Sequence, residues 1–229
     1  MKDITNEEKG CAKINLALHV TGIQADGYHA LDSIVVFTDV FDRLFFKRSL
    51  KNVVTLTGEF SGSINVQENS ILQALKLFGN GLTDRFSINL EKNLPIGAGL
   101  GGGSADAAAV IRFITNNSKH LMPSYEVLSK IGADIPACVL SVASRVGGIG
   151  EIVRPLDMSE INLWVVLVNP DIFVSTGSIF EEVTEKHNQP LESFIDLSST
   201  DKFVDYLKRQ RNDLQTIAIK KHPEINKVL

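Results

Sequence analysis

The sequence predicts an α+β protein in two parts, and three observations carry that reading. Segments that alternate with period two are interspersed with segments of helical period. A run built almost wholly of Gly and Ala, Gly97 to Ala109, joins a strand pattern to a helix pattern. Near residues 155–162 the mixed pattern gives way to a helix-richer one, which divides the chain into parts 1–158 and 159–229.

The elements follow in order. Ile14, Leu16, Leu18 and Val20 alternate with Lys13, Asn15, Ala17 and His19, the pattern of a half-buried strand with one apolar and one polar face. Ala25-Asp26-Gly27 supplies turn chemistry. Strands are expected at 31–38, 44–47 and 53–57. Ile71, Ala74, Leu75 and Phe78 form one face of a helix over 70–78. Phe86, Ile88 and Leu90 alternate again, in a strand that feeds the glycine run. Ala107, Val110, Ile111 and Ile114 then stripe a helix over 104–115. A further helix over 124–131 stops at Gly132, and Asp134 two residues before Pro136 favours a new helix start.

Leu163 to Asn169 reads as a buried strand closed by Pro170. Ser175 or Thr176 caps a helix running to about Lys186, 187–200 is a polar loop, and helices follow at about 200–209 and 213–221. Pro223 opens a last helix with Ile225, Val228 and Leu229 at helical spacing and no stop signal, so the second part is expected to be incomplete.

Composition narrows the function classes. The 229 residues carry a formal charge of −4, without the basic excess that drives nucleic-acid binding. The longest clearly apolar run, Leu163 to Val168, is far short of the ~18 residues of a membrane span. The first ten residues are polar and hold no apolar signal core. Cys11 and Cys138 make no disulfide framework and lack metal-ligand spacing. The expectation is a reduced, cytoplasmic protein, monomeric or weakly homodimeric, with small-molecule rather than nucleic-acid or membrane partners.

The segment Pro95-Ile96-Gly97-Ala98-Gly99-Leu100-Gly101-Gly102-Gly103-Ser104 is the strongest chemical signal. It follows a strand and opens a helix. Glycines let a backbone approach a ligand closely, and the first amides of a helix lack internal partners. Together they make an anion site suited to phosphate. A plain tight turn is the alternative, and five glycines from Gly97 to Gly103 argue against it.

Gly97, Gly99 and Gly102 also fit the dinucleotide fingerprint of an oxidoreductase. That motif wants an early position in the fold and an acid about 20 residues on, and neither is present. The P-loop pattern fits except that Gly103 stands where its lysine belongs. Phosphate charge must then be met by a metal, a helix dipole or a lysine from elsewhere, with Lys13 and Lys92 the candidates. Asp134 reads either as a helix cap or, beside a lysine, as the acceptor of a hydroxyl proton in phosphoryl transfer.

Several motifs together resemble a known family. Ala12-Lys-Ile-Asn-Leu-Ala-Leu-His-Val-Thr-Gly22 with Ala25-Asp-Gly-Tyr-His29 resembles the N-terminal signature of the 4-diphosphocytidyl-2-C-methyl-D-erythritol kinases. The glycine loop through Ala108 resembles the ATP loop of the wider GHMP kinase superfamily. Gly132-Ala-Asp-Ile-Pro136, Gly148-Ile-Gly-Glu151, Val168-Asn-Pro170, Ser175-Thr176 with Phe180, and Arg211-Asn-Asp-Leu214 fall in the same order.

The resemblance implies a two-lobed fold: an ATP-binding lobe over 1–158, a second lobe over 159–229, and the active site in the cleft between them. It implies ATP-dependent phosphorylation of the 2-hydroxyl of 4-(cytidine 5′-diphospho)-2-C-methyl-D-erythritol, in the non-mevalonate route to isoprenoid precursors. Lys13 and Asp134 would be the catalytic pair and Asn15 would contact the erythritol. Tyr28 and Phe180 would sandwich the cytosine, His29 would bond its edge, and Thr176 would lie near the same ligand. Mg2+ would bridge the β- and γ-phosphates, with Ser104 the loop hydroxyl beside it and no dedicated protein metal ligands.

Two departures stand out. Cys11 replaces a common proline, and the third glycine-rich motif of the family is missing. A nucleotide-binding chain without turnover is therefore the alternative.

Overall fold

The computed structural model describes residues 7–25, 27–63, 70–79, 84–193 and 195–229. The expected turn at Ala25–Gly27 is described only in part, since Asp26 lies outside these residues. Among the described residues the strands are Glu7–Ile23 (β1), His29–Ser49 (β2), Val53–Thr57 (β3), Arg85–Glu91 (β4), Ser144–Gly148 (β5) and Ile152–Pro155 (β6). The helices are Ser70–Leu77 (α1), Gly102–Asn117 (α2), Tyr125–Ser129 (α3), Ile135–Leu140 (α4), Thr176–Glu181 (α5), Thr200–Lys208 (α6) and Gln215–Lys221 (α7). The α+β fold expected from the sequence is the fold observed.

Contacts divide the chain into two units of interleaved segments. One holds the chain up to Lys13, Phe37–Ile96 and Leu100–Ser141; the other holds Ile14–Val36, Gly97–Gly99 and Val142–Leu229. The interleaving arises because β1 and β2, which pair with each other, each contribute to both units.

In the first unit β2 runs antiparallel to β4, from Arg43 opposite Glu91 to Ser49 opposite Arg85, and β3 lies parallel on the far side of β4. Leu44, Phe46, Phe86, Ile88 and Leu90 turn one face of these strands into the core. The alanines of α2 (Ala105, Ala107, Ala108 and Ala109) are all buried. Short side chains let a helix lie close to its neighbours, and Phe113 fills the remaining space, stacked on Phe46 at 3.8 Å and edge-on to Phe86 at 5.3 Å.

In the second unit β2 pairs antiparallel with β5, Leu31 opposite Gly148, and β5 with β6. Phe203 and Tyr206 of α6 pack on Ala17 and Ile34, while Leu18, Val20 and Val183 form a smaller cluster that Phe180 joins. His19, expected on a polar face, is buried. Its Nδ1 lies 2.9 Å from the Gln189 carbonyl, and its Nε2 accepts the Arg211 N–H at 3.3 Å. The backbone at 189 and 211 supplies partners there, so the polar face of the strand is covered rather than solvated.

Four expectations change. The helix expected to run to about Lys186 ends at Glu181. The strands expected at 31–38 and 44–47 are one, β2, and Asp42 between them is fully buried, its carboxylate accepting the Asn93 and Leu94 amides. The apolar run at 163–168 is not a described strand: Trp164 is 94% exposed and Val166 86%. An apolar run becomes a buried strand only where another surface covers it, and among the described residues none pairs with this one. The last helix is a 3-10 segment, Pro223–Lys227.

Candidate active site

The site grows from the end of β4. Leu94 is buried, and the chain then turns through three glycines with positive φ: Gly97 at 68°, Gly99 at 74° and Gly101 at 66°. These are left-handed conformations that side chains other than glycine rarely adopt. Gly99 is exposed, and a Cβ built on it would meet nothing within 4 Å. Gly101 occupies the cap position of α2 and no side chain caps the helix. The first amides of this 16-residue helix therefore keep their donors for a ligand, with the positive end of the helix dipole behind them. Ser104 lies in that first turn, half-buried.

Lys13 on β1 reaches this turn from below. Its backbone N–H donates to the Leu100 carbonyl at 2.9 Å, which ties β1 to the loop. Its side chain is 3% exposed, and Nζ lies 3.1 Å from Asp134 Oδ1. The Asp134 carboxylate is 44% exposed. A Cβ on Gly101 would stand 3.3 Å from Lys13 Cβ and 3.6 Å from Asp134 Oδ2, so the pair sits directly against the loop.

Asp134 holds the cap position of α4, but its side chain makes no capping hydrogen bond. Its own φ and ψ, −84° and −14°, are helical, and a capping side chain needs the extended region. The carboxylate is thereby released from the structural job that its sequence position offered.

Lys92, the other candidate for meeting phosphate charge, is not available for it. It is buried, contacts Asp42 closely, and donates to Asp106 Oδ2 at 2.9 Å. Burial alone would lower its pKa, but the Asp106 and Asp42 charges outweigh that and raise it, so the amine stays charged beneath the loop. Burial, against the opposing pull of Lys92, pushes the Asp106 carboxyl up to about 7.

In the second unit, Gly97 is covered by the ring of Phe173, an aromatic that no sequence pattern singled out. A Cβ on Gly97 would come within 2.3 Å of that ring, and the Val174 N–H donates to the Gly97 carbonyl at 2.9 Å. His29 packs on Phe180, ring centroids 5.4 Å apart and tilted by 32°. The His29 Nε2 atom is buried without a hydrogen-bond partner, and burial, with Lys186 a lesser cause, holds its pKa below the ordinary range. A neutral imidazole edge without a partner suits a hydrogen bond to a ligand. Tyr28 and Thr176 are exposed, and Asn15 Oδ1 lies 3.1 Å from Ser33 Oγ.

A phosphate cradle running into a helix, with a buried lysine and a released carboxylate beside it, is the equipment of phosphoryl transfer to a small molecule. Residues 69–148 match the family model of the GHMP kinase N-terminal domain, and the class is that of the GHMP small-molecule kinases. A 4-diphosphocytidyl-2-C-methyl-D-erythritol kinase of Cereibacter sphaeroides is 39% identical over 216 residues, 93% of this chain and 77% of the relative. One of Rhizobium johnstonii is 40% identical over 227 residues, 95% of this chain and 74% of the relative. A solved 4-(cytidine 5′-diphospho)-2C-methyl-D-erythritol kinase superposes with a TM-score of 0.71 at 27% identity, covering 97% of this chain and 80% of that one. The chain belongs to the 4-diphosphocytidyl-2-C-methyl-D-erythritol kinase family.

Two outcomes test this geometry. Gly101→Ala forces a side chain into a left-handed backbone and against Lys13 and Asp134. Turnover should fall about 10²-fold, as for misplacements near 1 Å, with the fold retained by circular dichroism. For Asp106 the folded pKa of about 7 lies above the ordinary 3.8, so the folded state holds the extra proton. Its contribution to stability is full below 3.8 and is lost as pH rises through about 7. Urea unfolding of wild type and Asp106→Asn from pH 4 to 8 should show wild type losing stability relative to the variant across that window.

Proposed function

We propose that this chain transfers the γ-phosphoryl group of ATP to the 2-hydroxyl of 4-(cytidine 5′-diphospho)-2-C-methyl-D-erythritol. The observation that carries the reading is the Lys13–Asp134 pair, 3.1 Å apart, set against the cradle at Gly101. Asp134 accepts the hydroxyl proton as the acceptor oxygen attacks, and the exposure of its carboxylate leaves it open to substrate. Lys13, 3.1 Å from Asp134, orients the carboxylate and offers positive charge toward the transferred group. The backbone of residues 95–103 holds the ATP phosphates, and its glycines leave room for them.

The donor set fits magnesium brought in on the nucleotide. The Ser104 hydroxyl, in the first turn of α2, is the side chain that would stand by the ion. When bound, the ion neutralises charge on the β- and γ-phosphates.

The cytidine end is assigned to Tyr28, His29, Thr176 and Phe180, and the erythritol to Asn15. The support is the exposed Tyr28 ring, the His29–Phe180 contact and the unpartnered His29 Nε2. Stacking reads a flat base and an edge hydrogen bond selects among bases. In this reading 1–158 supplies the ATP-binding lobe and 159–229 the second lobe. No helix among the described residues is long and apolar enough to cross a membrane, and we place the enzyme in the cytoplasm as a monomer or weak homodimer.

The test is ADP release coupled to a new phosphate monoester on the cytidine substrate, followed by 31P NMR. Asp134→Asn should lower kcat by about 10²-fold or more while ATP affinity stays near wild type, as expected for a lost general base. An equal loss of ATP binding contradicts the assigned role. Binding of both ligands by the wild type with no ADP formed supports a nucleotide-binding chain without turnover.

A further inference from the structure

Lys92, Asp42 and Asp106 form a buried ionic cluster that the chemistry above does not use. Taking three charges out of water is costly, and apolar side chains of similar volume often do as well for stability. The cluster lies under the phosphate loop and touches both of its ends. At the entrance, Asp42 Oδ1 accepts the backbone N–H groups of Asn93 at 2.6 Å and Leu94 at 2.8 Å. At the exit, Asp106 stands in the second turn of α2, with its Oδ2 2.9 Å from Lys92 Nζ. Lys92 Nζ also lies 3.0 Å from where a Cβ of Gly102, the first helical residue, would stand.

Lys92 is itself pinned by its backbone. Its N–H donates to the Thr57 carbonyl at 2.7 Å, and its carbonyl accepts the Phe60 N–H at 3.1 Å. Gly58, with φ of 92°, makes room for it, since a Cβ there would stand 2.6 Å from the Lys92 backbone.

We propose that Lys92, bridging Asp42 and Asp106, is a positioning residue that clamps the entrance and exit of the phosphate loop and so sets the affinity for the nucleoside triphosphate. It acts through the loop backbone and touches no phosphate. The proposal rests on the kinase reading for the identity of the ligand, but the clamp itself is a property of the unliganded chain.

The variants are Lys92→Met and the double variant Lys92→Met with Asp106→Leu, which removes the acid left unpaired. Binding of MgATP and of CDP is measured by titration calorimetry, melting temperature by calorimetry, and exchange of the amides of residues 101–105 by NMR. The single variant should bind MgATP about tenfold more weakly, the scale expected for a loosened supporting shell, with CDP affinity unchanged. The double variant should recover melting temperature without recovering MgATP affinity, and its amides at 101–105 should exchange faster than in wild type. If MgATP affinity returns with melting temperature, or never fell, the cluster is structural only and the proposal fails. Unchanged exchange at 101–105 in the double variant overturns it as well. A wild type that binds no MgATP instead defeats the kinase reading, and the exchange rates still decide the clamp.

Discussion

The ion pair between Lys13 and Asp134 holds the account together because each partner has been removed from an ordinary role. A lysine on a strand normally keeps its amine in water, and this one is buried against the loop. An aspartate ahead of a Pro-containing first turn normally caps the helix, and this one leaves the helix uncapped. The two meet in an ion pair at 3.1 Å, beside Gly101 of the glycine loop. The loop carbonyl of Leu100 accepts the Lys13 backbone N–H, which ties the strand that carries Lys13 to the loop.

Much of the fold serves that placement. Positive φ at Gly97, Gly99 and Gly101 turns the chain from β4 into α2 with its amides free, and the absence of a Cβ at Gly101 makes room for the pair. The alanines of α2 seat the helix deep in the core of the first unit. Beneath the loop, the Lys92 cluster joins strand, loop and helix. In the second unit, Phe173 covers the first glycine, while His29 and Phe180 form a separate aromatic contact.

The sequence showed those features that depend on local chemistry. A glycine run between a strand pattern and a helix pattern has few physical readings, and α1 and α2 stand where their apolar stripes put them, although α2 extends two residues beyond the expected helix at each end. From the residues alone Lys13 and Asp134 were legible only as two candidates, since spacing along the chain says nothing of a contact between residues so far apart in sequence; the family resemblance supplied the pairing. Lys92 was misjudged because burial is invisible at a single residue: the same lysine could meet phosphate or be held by two acids. Asp42 carried no signal of its own, because its partners, the Lys92 amine and the Asn93 and Leu94 amides, lie about fifty residues away in sequence. Phe173 had no periodic signal, because its contact is with a glycine that shows no apolar pattern. The run at 163–168 misled in the opposite direction, since hydrophobicity marks a preference for burial without supplying the surface that buries it.

The claim that Lys13 and Asp134 act as one unit is tested most directly by a double-mutant cycle on kcat with Lys13→Met, Asp134→Asn and both together. Groups that serve one step as a unit are strongly non-additive. The account predicts that the double variant is scarcely slower than the worse single variant. Losses that multiply would show two independent residues, and the pair would lose its place at the centre of the mechanism.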